Sequence, residues 1–192
     1  MDYIVRKANE SDRANIAKAI ALSFEKVFAV FTKDMTRMAK VFEGGIIIER
    51  YFVAEQHGEI IGIVAVGDCV SRVNSSTKEE CVKNLGRIRG ALAFKVINKE
   101  MMRPHEYPGT TGYIDIVGVV PKARGKGVAH ELIREIVKNN TQYGEFILDV
   151  DSANTPAVKS YEKFGFVEYE RKRPLKILKR GRAFMRYTVN QP

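Results

Sequence analysis

The stretch Val117-Gly118-Val119-Val120-Pro121-Lys122-Ala123-Arg124-Gly125-Lys126-Gly127-Val128-Ala129 constrains this chain more than any other. It reads as a buried strand that runs into a glycine-rich turn and out into a helix. Such a turn leaves several main-chain N–H groups without intrahelical partners and aims them at one spot, on the positive end of the helix dipole. A phosphate or pyrophosphate suits that spot.

The surrounding elements supply a sheet for this strand. Residues 113–120 are apolar on both faces, as a central strand requires. After the turn, Val128, Leu132, Ile133, Ile136 and Val137 recur at helical spacing, and 146–150 is the next strand. Asn154 caps a helix that opens at Thr155-Pro156, carries Val158, Tyr161 and Phe164 inward, and stops at Gly165. Residues 166–169 and 184–187 read as a closing hairpin. Upstream, a first strand at 3–6 precedes a helix capped by Ser11 or Asp12, with Ile16, Ala19, Ile20 and Phe24 in register. A second helix covers 34–42 and ends at Gly44-Gly45. Strands at 51–54 and 60–66 flank a turn containing His57. Thr77 and Glu80 form a capping-box signature for a helical run over 78–97, interrupted at Gly86 and Gly90. The expectation is an α/β (α+β) fold in one domain over 1–192. A helical insertion occupies about 68–112, and a basic C-terminal hairpin about 166–190.

At 192 residues the chain can bury a sizeable core, and 45% hydrophobic with 29% charged residues fits an ordered globular protein. No apolar run reaches the ~20 residues that span a bilayer, so no membrane partner is expected. The start, Met1-Asp2-Tyr3-Ile4-Val5-Arg6, lacks a signal-peptide pattern, and Cys69 and Cys81 show no metal-ligand spacing. The expected location is cytoplasmic, with both thiols reduced and no metal. The net charge of +9 is concentrated near the C-terminus, where Arg171, Lys172, Arg173, Lys176, Lys179, Arg180, Arg182 and Arg186 face no acidic residue between them. A solvated cationic hairpin, an acidic partner surface or the outer phosphate of a nucleotide cofactor all fit that run. No aromatic interleaving, helix-turn-helix or zinc spacing accompanies it, which disfavours nucleic acid.

Three phosphate motifs compete for the turn. A Walker loop needs Ser or Thr after its lysine, and Gly127 follows Lys126. A dinucleotide fingerprint has its first two glycines in Gly125 and Gly127, with Asp149 at a suitable distance, but His130 stands where the third glycine belongs. The best match is arginine, two residues, glycine, one residue, alanine, running from Arg124 to Ala129. A second block follows after the intervening strand, Asn154-Thr155-Pro156-Ala157-Val158-Lys159-Ser160-Tyr161-Glu162-Lys163-Phe164-Gly165-Phe166. The pair, in this order, closely resembles the GNAT superfamily of acyl-coenzyme A-dependent acetyltransferases. The resemblance covers 113–166, and 69–112 adds nothing to it.

The resemblance implies a mostly antiparallel central sheet with one splayed parallel strand pair, flanked by helices, and acetyl-coenzyme A as cosubstrate. The N–H groups of Gly125, Gly127, Val128 and Ala129 would cradle its pyrophosphate, with Arg124 and Lys126 adding charge. It further implies that Val117 and Val119 pair through their backbones with the pantetheine arm. Gly118 would leave room between them, and Asn154 would touch the arm as well as cap its helix. Tyr161 stands where such enzymes carry a proton donor for the departing thiolate, although core packing would also account for it. The residues themselves suggest a base. Asp115 interrupts an apolar strand, and simple alternation puts it on the face of Val117 and Val119. A structural hydrogen bond could equally hold Asp115, and Glu106 or His105 could act through water.

Neither cysteine lies in a motif, so the expected reaction is direct attack by an amine acceptor, a small molecule or a peptide, within a ternary complex. The competing expectation is a catalytically silent coenzyme A-sensing or protein-binding module that uses the basic hairpin. That hairpin could also support a homodimer.

Overall fold

The computed structural model describes residues 2–99, 106–172 and 181–189. Seven strands form one sheet in the order β1-β2-β3-β4-β5-β7-β6. They are β1 (Ile4–Lys7), β2 (Tyr51–Gln56), β3 (Glu59–Gly67), β4 (Thr111–Val119), β5 (Glu145–Asp151), β6 (Val167–Lys172) and β7 (Arg182–Thr188). Every neighbouring pair is antiparallel except β4 and β5. That pair is joined at Thr111↔Glu145, Gly112↔Phe146 and Tyr113↔Ile147, and then parts. Both strands continue, to Val119 and Asp151, without pairing to each other. The mixed sheet with one splayed parallel pair matches the sequence expectation.

The helices are α1 (Arg13–Ser23), α2 (Glu25–Phe28), α3 (Met35–Glu43), α4 (Lys78–Leu85), α5 (Arg87–Ile97), α6 (Val128–Lys138) and α7 (Thr155–Phe164). Two glycines mark which helix lies on which face. A Cβ on Gly62 would meet Val128 and Leu132 of α6, whereas a Cβ on Gly118 would meet Ser23 of α1. The two helices therefore sandwich β3 and β4, and α3 packs on α1. Ile16, Ile20, Phe42, Ile63, Leu132, Ile133 and Phe146 are among the fully enclosed side chains of this core. The Val/Ile/Ala run of β3, broken only by Gly62 where α6 approaches, follows from this arrangement, because both its faces are covered.

Local chemistry explains most boundaries. Asp12, one of the two expected caps, stands at the N-cap position of α1 without a side-chain cap bond, and the side-chain capping is done one turn earlier by Asn9. It opens a 3-10 turn over Glu10–Asp12 in which Asp12 closes the reciprocal bond to the Asn9 N–H. Asp34 caps α3 through the N–H groups of Thr36 and Arg37. The Thr77–Glu80 capping box forms as expected, at 3.2 and 3.0 Å. The helical run over 78–97 breaks once, at Gly86, and passes straight through Gly90. At Gly90 a Cβ would lie 2.5 Å from the Cys81 carbonyl oxygen and from Val82 Cα, so glycine there lets α5 lie against the backbone of α4.

Candidate active site

The glycine turn begins as β4 ends. A 3-10 turn over Pro121–Ala123 leads to Arg124 in extended conformation, and then Gly125 (φ +75°) and Gly127 (φ +78°) adopt left-handed backbone. L side chains resist that region, so glycine is required by conformation. A Cβ at either position would meet nothing within 4 Å, so the outer side of the turn is open. Helix α6 starts at Val128 with no side-chain cap among the described residues. Its first N–H groups therefore depend on something outside the helix. An open, left-handed turn before an uncapped helix end is a backbone arrangement suited to anions. Lys126 is exposed beside it. Arg124 does more than add charge. Its Nε donates to the Val119 carbonyl (3.1 Å) and an Nη donates to the Ser23 carbonyl (3.0 Å), tying the turn to the ends of β4 and α1.

The gap beside β4 follows from strand alternation. The Val120 N–H bonds the Ile61 carbonyl of β3, and Gly118 sits opposite Ile63. The main-chain groups of Val117 and Val119 therefore point away from β3, into the space that β5 has left. Gly118 gives room to Ser23 of α1, on the sheet face toward that helix. Asn154 does cap α7, accepting from the Ala157 N–H at 3.4 Å.

Asp115 departs from simple alternation. Ala65 pairs with Ile116 and Val66 with Ile114, so Asp115 is the extra residue of a β-bulge. A Cβ on Gly67 would lie 2.5 Å from Asp115 Oδ2, and Gly67 faces the opposite side from Gly62, the partner of Val119. Asp115 thus lies on the α1 face, away from Val117 and Val119. Its side chain is 2% exposed and ion-paired to Arg72, whose own side chain is 5% exposed and whose Nε donates to Oδ1 at 2.6 Å. The Tyr51 hydroxyl, buried and without a hydrogen-bond partner among the described residues, lies close enough for the Asp115 charge to add to the upward push of burial on that phenol.

Several residues here were given no acetyl-transfer role by sequence reasoning. The Arg72 guanidinium stands 5.5 Å above the Tyr113 ring, Tyr107 stacks on that ring at 5.9 Å, and the Tyr107 and Tyr169 hydroxyls are 3.2 Å apart. Tyr113 donates its hydroxyl to Asp149 of β5, and Arg182 of β7 donates to the other oxygen of the same carboxylate. Arg72, Asp115, Tyr113, Asp149 and Arg182 therefore form one continuous polar cluster where β4 and β5 part. Asp149 interrupts its strand as Asp115 does, so the rule that flagged one would have flagged the other.

Tyr161 is buried on α7, edge-on to Phe166 at 6.1 Å. Burial, with a contribution from the Asp149 charge, pushes its phenol well above the ordinary value, so it stays protonated at neutral pH. His130 packs edge-on against Phe164 at 5.1 Å, and burial lowers its pKa, which fits a packing role between α6 and α7. Glu106 is exposed, and His105 lies outside the described residues. Among the described residues no group of three or more His, Cys, Asp or Glu could hold a metal, and no helix is long and apolar enough to cross a membrane.

The acetyltransferase (GNAT) family model matches residues 22–166. N-alpha-acetyltransferase 30 from Schizosaccharomyces pombe is 35% identical over 68 residues, which is 33% of this chain and 45% of that protein; the match spans less than half of the relative. An N-acetyltransferase from Staphylococcus aureus Mu50 has a TM-score of 0.63 at 18% identity, covering 96% of this chain and 100% of that one. A putative acetyltransferase from Salmonella typhimurium, solved with acetyl-CoA, has a TM-score of 0.63 at 15% identity, covering 100% of this chain and 96% of that one. At these identities the solved structures establish a shared fold.

Proposed function

Because the chain belongs to the acetyltransferase (GNAT) family, we propose that it transfers an acetyl group from acetyl-coenzyme A to the nitrogen of an amine, by direct attack in a ternary complex. One observation carries this reading: an open left-handed turn at the uncapped start of α6 continues into the unpaired edge of β4. The first feature suits a pyrophosphate, and the second suits an extended amide-bearing arm. The N–H groups of Gly125, Gly127, Val128 and Ala129 would hold the former, with Lys126 adding charge. The main-chain groups of Val117 and Val119 would face the latter, with Asn154 near it. Arg124 would keep the turn and the strand edge at a fixed separation, since it already bonds the Val119 carbonyl.

The chemistry asks two things of the protein's own groups. A lysine-like amine of pKa ~10.4 is neutral in only about one molecule in a few thousand at pH 7, so a base or a desolvating site must supply the neutral form. Asp115 is the sequence candidate, and the structure encloses it in an ion pair with Arg72. At the other side of the bond, Tyr161 would donate to the departing sulfur. Its raised pKa keeps the proton in place until a thiolate forms in the same dry surroundings.

The experiment is thiol release from acetyl-coenzyme A with a panel of small amines and peptides carrying free N-termini. Amine-dependent release, with kcat reduced about 10²-fold in Tyr161→Phe, supports the reading. Coenzyme A binding without turnover on any amine would favour a silent binding module instead.

A further inference from the structure

Helix α5 is apolar on two faces. Gly90, Ala93 and Ile97 are buried, and Gly90 lies against the backbone of α4. Ile88, Leu92 and Val96, each four residues after the last, line up on a second face and are 86%, 55% and 40% exposed. Single exposed aliphatic residues are ordinary, but three in a row along one helix make a continuous ridge. Charge accompanies the ridge. At ~100° per residue, Lys95 flanks it on one side and Arg89 on the other, while Arg87 and Lys99 stand at its two ends. All four cations are exposed, and residues 87–99 contain no Asp or Glu. Among the described residues none of the four enters an ion pair. An aliphatic ridge bordered by uncompensated cations is a basic amphipathic surface.

We infer that the ridge of α5 docks the protein on an anionic phospholipid surface. Ile88, Leu92 and Val96 enter the boundary of the acyl chains, and the flanking cations stay at the level of the phosphates. Other occupants fit the ridge less well. A second copy of the chain would bring two sets of four cations face to face. A specific protein interface engages roughly 20–30 residues a side, whereas the ridge offers three aliphatic side chains on one convex helix. A lipid surface needs no complementary groove, and it supplies negative charge to both flanks of the helix at once. Among the described residues no helix is long and apolar enough to cross a membrane, which leaves α5 to lie along one. The helices α1, α3, α4 and α5 pack in succession on the sheet face opposite α6. The glycine turn opens α6 on the other face, so the inference stands independently of the acetyl-transfer reading.

The chain contains no Trp, so Leu92→Trp installs a single fluorescent reporter on the ridge. Lys138→Trp, at a side chain 74% exposed on α6, gives the control. The full chain is mixed with vesicles of phosphatidylcholine alone or with phosphatidylserine added, and both cosedimentation and emission are read. With phosphatidylserine present, emission of Leu92→Trp should shift to the blue and be quenched by lipids brominated on their acyl chains, while that of Lys138→Trp stays level. Arg89→Gln with Lys95→Gln should weaken vesicle binding about 25-fold, at roughly fivefold per cation near the surface. Leu92→Ser should weaken it about tenfold with no change in charge, and Ile88→Ser should act alike. Because these side chains are exposed, thermal melts and coenzyme A affinity of the variants should match the parent's. Failure of the parent to bind phosphatidylserine vesicles overturns the inference, and a ridge that serves an acidic protein instead gives that result. Binding that survives both the double charge change and Leu92→Ser also overturns it, by placing the contact on other cations of the chain. An unshifted, unquenched Leu92→Trp reporter on vesicle-bound protein is equally fatal to it.

Discussion

Single residues divide into those that hold the fold and those that face the gap. Arg72 belongs to both groups. Replacing it by Ala leaves Asp115 charged and enclosed, which should cost about 3–5 kcal/mol in urea unfolding; Arg72→Ala with Asp115→Asn should recover much of that loss. Asp12 gives a pH prediction. The bidentate Arg6 bond, together with the Asn9 N–H, holds the Asp12 carboxyl below the ordinary carboxylate value despite its burial. A depressed folded pKa contributes stability that is complete above the unfolded value near pH 4 and is lost as pH falls through the folded one. Urea midpoints should therefore drop from pH 5 to pH 3, and Asp12→Asn should show a shallower drop. At this scale the sequence exposed chemistry but not partnership. Asp115 stood out because an acid interrupts an apolar strand. Arg72, 43 positions away, carries no local sign that it will meet it. The bulge that turns Asp115 to the α1 face is equally invisible, because strand alternation assumes an unbroken ladder.

At the level of elements, end signals were legible because they are local. The Thr77–Glu80 box, the Asn154 cap and the glycine stop after α7 all act within four residues. Gly90 was not legible. It reads as a helix breaker, yet it serves a contact with another helix, and only the docked pair reveals that. Gly90→Leu should push α5 off α4 and cost about 1–3 kcal/mol, measured by chemical unfolding. Its effect on coenzyme A affinity should be small, since α4 and α5 lie away from the glycine turn. A large loss of affinity with unchanged stability would contradict this division of labour. The splay of β4 from β5 was foreseen through family resemblance, and its physical basis is now visible. Beyond Tyr113 and Ile147 the Val117–Val119 edge of β4 faces the gap, and no ladder joins it to β5.

For the whole molecule, the fold places the open turn and the polar cluster at opposite ends of one gap, lined by β4, β5 and the start of α6. Ligand binding there should tie several elements together. Coenzyme A at 100 times its Kd should raise unfolding free energy by about 2.7 kcal/mol, seen as an upward shift in Tm. Net charge was legible in full, but Arg173, Lys176, Lys179 and Arg180 of the basic hairpin lie outside the described residues. The most direct check on the central claim is a calorimetric titration of the protein and of Gly127→Val with coenzyme A. A Cβ at position 127 meets nothing in the protein, so the variant should fold with only the cost of its left-handed backbone, about 1–2 kcal/mol. The account predicts saturable heat for the parent and at least a tenfold weaker affinity for the variant. Equal affinity in a folded Gly127→Val protein, or no heat from the parent at millimolar coenzyme A, would contradict it.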